Sequence, residues 1–90
     1  METIYKYTIK IGEPETEMPK DAEILTVAFQ GESMCFWAKV DPANETETRS
    51  FYAFGTGHEI PCGMGMDHQY IGTGFMHSGL VFHAFERLGL

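Results

Sequence analysis

Ninety residues, 43% hydrophobic and 13% aromatic, are too few for two domains and too apolar for a disordered chain, so residues 1–90 read as a single domain. A net charge of −7 with only six Lys and Arg argues against DNA or RNA polymers, whose binding depends on neutralising many phosphates, and against an anionic membrane surface. No run approaches the ~20 apolar residues of a membrane-spanning helix, and Met1-Glu2-Thr3-Ile4-Tyr5-Lys6 lacks a signal-peptide layout, so a cytoplasmic protein with Cys35 and Cys62 as thiols is expected.

The first strand is expected over Thr3 to Ile11, where Tyr5, Tyr7, Ile9 and Ile11 alternate with Lys6, Thr8 and Lys10. Gly12 to Glu15 breaks it, and Glu17 to Asp21 is a second breaker following a very short edge strand. Between Ala22 and Gln30, Leu25, Val27 and Phe29 share one face, while Thr26, Ala28 and Gln30 share the other. Gly31-Glu32 then turns into a strand over Met34 to Val40. Asp41-Pro42-Ala43-Asn44 is a strong turn signal, which makes Thr48 to Phe54 the expected antiparallel partner of the preceding strand.

Gly55 to Gly65 is glycine-rich and irregular. Tyr70 to Met76 reads as a strand whose Gly72 and Gly74 mark a bulge or the close approach of another backbone. After His77-Ser78-Gly79, Leu80 to Arg87 is expected as the last strand, with a helix as its competitor. Roughly six to seven short strands predict an all-β protein, a small antiparallel β-sandwich or partly open barrel. Its open edges favour a homo-oligomer.

Four features bear on function. Gly55-Thr56-Gly57-His58 and Gly72-Thr73-Gly74 repeat a tripeptide that either exposes backbone donors to a phosphate or simply makes bulges and turns. Cys62, Met64, Met66, His58 and His68 resemble a soft-metal loop, but the spacing fits no established zinc pattern, and neither a metal nor a cofactor is expected. Cys35, Cys62 or Ser78 with a histidine base would be needed for nucleophilic catalysis, and nothing fixes their geometry, so no catalytic residue is assigned. His83, between Phe82 and Ala84, reads as a structural histidine. Trp37 projects with Cys35 and Lys39 from one face of its strand, and Tyr52 joins them if the hairpin at Pro42 closes. That arrangement would stack a nucleobase, with Lys39 or Arg49 near a phosphate; equally, Trp37 fills a core.

The segments Ile4-Tyr5-Lys6-Tyr7, Ile24-Leu25-Thr26-Val27, Trp37-Ala38-Lys39-Val40-Asp41-Pro42, Phe54-Gly55-Thr56-Gly57-His58 and Leu80-Val81-Phe82-His83 carry a resemblance that extends nearly end to end. The chain resembles a family of small proteins of unknown function encoded mainly by tailed bacteriophages and prophages. That resemblance implies a compact β fold acting in a bacterial cytoplasm, and by analogy of context a non-enzymatic sponge for a nucleotide-derived immune signal. The expected ligand site is Trp37, Lys39, Arg49, Tyr52, Thr56, Gly57, His58 and Thr73. The alternatives are a module that binds a host protein, and a small hydrolase or metal protein.

Overall fold

A computed structural model describes residues 1–60 and 67–88. They form seven strands: β1 (Thr3–Ile9), β2 (Glu15–Pro19), β3 (Glu23–Gln30), β4 (Ser33–Val40), β5 (Thr46–Gly55), β6 (Asp67–Phe75) and β7 (Val81–Leu88). Two antiparallel sheets result, ordered β1-β4-β3 and β2-β5-β7-β6, and no closed barrel forms. The last run is a strand and not a helix.

Period-two alternation builds the core. In β4, Met34, Phe36, Ala38 and Val40 point inward and are buried, while Ser33, Trp37 and Lys39 lie on the outer face. β1 turns Tyr7 and Ile9 to the same interior. From the second sheet come Phe51 and Ala84, both essentially inaccessible. Phe36 and Phe51 meet across the sheets with ring centroids 4.3 Å apart, and Tyr7 stacks on Phe36 at 5.3 Å. Burial raises the Tyr7 phenol above its ordinary pKa, with the nearby Tyr5 adding to the shift and Arg49 opposing it. Pro19 is tolerated in β2 because that strand is an edge.

Three expectations need correction. Glu17 to Asp21, expected as a breaker, instead supplies most of β2, with Met18 inaccessible in the core. The turn at Asp41–Asn44 is present, closed by Asn44 N–H to Asp41 O at 3.0 Å and by Ala43 N–H to the Asp41 carboxylate at 3.0 Å. It does not make a hairpin. It carries the chain from one sheet to the other, and β5 pairs with β2 and β7 instead of β4. In β3, a bulge between Ile24 and Thr26 shifts the alternation, so Ile24 packs on the core and Leu25 is exposed.

The expected irregularity in β6 is a bulge between Tyr70 and Gly72, and it lies against β3. The close approach is to side chains: a Cβ at Gly72 would come within 2.5 Å of Val27 Cγ2, and one at Gly74 within 2.9 Å of the Phe29 ring. Gly72→Ala is therefore expected to lower stability by about 1–3 kcal/mol through overpacking. Urea denaturation should show a lower midpoint with unchanged slope, and an unchanged midpoint would contradict the packing described.

Candidate functional site

The same alternation that buries Phe51 and Ala84 turns their neighbours outward. On the outer face of β5-β7-β6, register pairs Tyr52 with Phe85, Phe54 with His83, Tyr70 with Phe85, His68 with Arg87 and Thr73 with His83. The rings touch one another. Tyr52 and Phe54 stack at 6.4 Å, Phe54 lies 5.9 Å from Phe85, and Tyr70 meets Phe85 edge-on at 5.6 Å. His68 stands edge-on to Tyr52 at 5.8 Å. Tyr70 is 55% exposed and Phe75, farther along β6, 70%, so this aromatic sheet face is open to solvent.

At one end of the face the two Gly-Thr-Gly segments converge on a single side chain. Thr56 Oγ1 lies 2.7 Å from His83 Nε2, and Thr73 Oγ1 lies 3.0 Å from His83 Nδ1. The Tyr70 hydroxyl continues the chain through a hydrogen bond with Thr73. Thr56 reaches this position because Gly55 to His58 forms a tight turn, closed by His58 N–H to Gly55 O at 3.0 Å, with Gly57 at φ +85° where a side chain would be strained. At the other end, His68 Nε2 and Arg87 Nε are buried without a hydrogen-bond partner among the described residues.

Of the residues expected at a ligand site, Tyr52, Thr56 and Thr73 share this face, with Gly57 in the turn at its rim. His58 lies beside them in sequence, but its ring stands edge-on to Phe82, 6.3 Å away and on the inward side of β7. Trp37 and Lys39 are on the outer face of the other sheet, paired through β4 with β1 and β3. There Lys39 Nζ lies 3.4 Å from Glu23 and 4.0 Å from Glu2. Trp37 and Tyr52 thus occupy opposite sides of the sandwich, and one chain cannot stack a base between them.

Arg49 faces inward. Its Nε and Nη2 donate to the two Glu86 carboxylate oxygens at 2.6 and 2.8 Å, and Nη1 donates to Ala22 O at 2.7 Å. The hydrogen bond to Glu86 raises the guanidinium's pKa further above its ordinary value, so it stays charged. All three bonds tie β5 to β7 and to the segment entering β3, and they leave the guanidinium spoken for. Sequence reasoning passed over Tyr70, Phe54, Phe85 and Arg87, read His83 as structural and grouped His68 with the soft-metal loop. The signal for His83 was its alternation with Ala84, which sends it outward as surely as it buries its neighbour.

Among the described residues no three of His, Cys, Asp and Glu gather as metal ligands. The Cys62 to Met66 segment lies outside the described residues. No helix among the described residues is long and apolar enough to cross a membrane. A family model described as a domain of unknown function (DUF7352) matches residues 1–89. No curated protein and no solved structure matches the chain.

Arg49→Ala is expected to cost about 3 kcal/mol in stability, because it leaves the Glu86 carboxylate buried without its partner. Thermal denaturation of Arg49→Ala beside the Arg49→Ala/Glu86→Ala double variant measures this: the double variant should recover part of the loss. Additive losses would contradict the pairing.

Proposed function

We propose, from the premise that the chain belongs to the DUF7352 domain family, that it binds a small nucleotide-type ligand on the outer face of β5-β7-β6 and does no chemistry on it. One observation carries this reading: an exposed aromatic face with a His83–threonine–tyrosine chain at one end and the Arg87 side chain at the other. Flat rings stack on a base regardless of its identity, and the flanking polar groups supply hydrogen bonds to its edge. Sheet-borne side chains hold such a surface in place without a closing loop. With the resemblance to phage-encoded proteins, the biological form of this activity is sequestration of a nucleotide-derived defence signal in a bacterial cytoplasm.

Charge shapes the assembly. Arg49 is committed to Glu86, which leaves Arg87 as the guanidinium on the binding face. An anionic ligand is held better if two copies of the chain share it and each contributes its cation, so the proposed active form is a homo-oligomer with ligand between subunits. A protein-binding module for a host partner is the second reading, favoured by the exposure of Phe75 and Leu80, at 70% and 58%.

The test is native mass spectrometry after incubation with cyclic dinucleotides, ADP-ribose and related nucleotides. The expected result is retention of one nucleotide class at fixed stoichiometry and unchanged mass. Tyr52→Ala should weaken retention about tenfold, as loss of one stacking ring does, while Trp37→Ala leaves it intact. A nucleotide of altered mass would point to an enzyme. An empty protein across the panel would overturn the reading in favour of a protein partner.

A further inference from the structure

The chain Thr56–His83–Thr73–Tyr70 has a property that follows from counting protons. Each threonine and the tyrosine carries one O–H, and each oxygen also accepts. With His83 neutral, one ring nitrogen donates and the other accepts. If Nδ1 carries the proton, it donates to Thr73, Thr73 donates to Tyr70, and the Tyr70 O–H is released outward; Thr56 spends its proton on Nε2. If Nε2 carries it, Thr56 is released and Tyr70 spends its proton on Thr73. A neutral ring therefore leaves one outward donor. A protonated ring donates at both nitrogens, and both the Thr56 and Tyr70 hydroxyls then point a proton outward, beside a new positive charge.

We infer that protonation of His83 turns this end of the face into an oxyanion site, with the Thr56 and Tyr70 hydroxyls as donors and the imidazolium as counter-charge. The ligand group it takes is a phosphate or other oxyanion. The inference deepens the nucleotide reading and rests on it for the ligand's identity: it names where the anionic group sits and supplies a cation at the end of the face away from Arg87. The surroundings permit the charge. From β5, uncharged Phe54 and Thr56 face the ring; from β6, Thr73 and the Tyr70 phenol. Along β7, Phe85 separates it from Arg87, whose guanidinium adds positive charge at the far end. Among the described residues no carboxylate forms an ion pair with any histidine. Ligand binding that favours the imidazolium is tighter at lower pH and weaker at higher pH.

The probe is inorganic sulfate, whose own charge is constant over the range used, followed by NMR of the full chain at about pH 5.5 and about pH 8. The expected result is a sulfate-induced shift centred on Thr56, Thr73 and His83, with affinity about tenfold higher at the lower pH. His83→Gln, neutral throughout, should abolish that difference. Tyr70→Phe, which removes only an exposed hydroxyl, should weaken binding several-fold at low pH and little at high pH, and it serves if the Gln variant does not fold. Absent binding, binding of equal strength at both values, or shifts centred elsewhere would each overturn the inference. Because no nucleotide is used, a protein that binds sulfate in this way yet retains no nucleotide would count against the functional reading alone.

Discussion

The contact of Phe36 with Phe51, 4.3 Å between centroids, fixes which way every other side chain on β4 and β5 must point. Because strand side chains alternate, burying these two rings together sends Trp37 out through one sheet and Tyr52 out through the other. Ala84 extends the rule to β7 and places His83 and Phe85 on the outside. The small residues opposite it matter equally: Gly72 and Gly74 let β6 settle onto Val27 and Phe29, which closes one flank of the sandwich. The proposed binding face is thus the reverse side of the core, held by the same packing.

The Arg49–Glu86 pair completes that frame. It is bidentate, mostly shielded from solvent, and joined to the backbone of Ala22 before β3, so it links neighbouring strands of one sheet to the edge of the other. A basic residue in a chain with only six looks in sequence like a phosphate ligand. Alternation with Phe51 two positions on places it inside instead, where an arginine persists only with a partner of opposite charge. Glu86, two positions after Ala84, is that partner.

Local pattern was legible in the sequence, and long-range pairing was not. Alternating apolar residues mark each strand, and glycine in β6 marks the bulge that the fold contains, while the close approach there is to the Val27 and Phe29 side chains and not to another backbone. The Asp41–Asn44 turn shows why pairing is harder: its chemistry dictates a reversal but not whether the next strand returns to the same sheet. The candidate site suffered accordingly. Tyr52, Thr56 and Thr73 lie on the described face, while the hairpin that would have joined Tyr52 to Trp37 and Lys39 does not form. The repeat of Gly-Thr-Gly was visible, but that both threonines clasp one histidine depends on the β5-β7-β6 order, which no local signal encodes.

An acidic chain that binds an anion must compensate locally, and in the function proposed here the outer face of the second sheet does so with rings for the flat part of a ligand and a hydroxyl–imidazole chain for its polar part. The account stands on that face being where ligand sits. The most direct measurement is a backbone and aromatic NMR shift map of the protein with whichever nucleotide it retains. The account predicts that the largest shifts fall on Tyr52, Phe54, Tyr70, Thr73, His83 and Phe85, with Trp37 and Lys39 unmoved. Shifts clustered on Trp37 and the outer face of the first sheet, with the aromatic face silent, would contradict it.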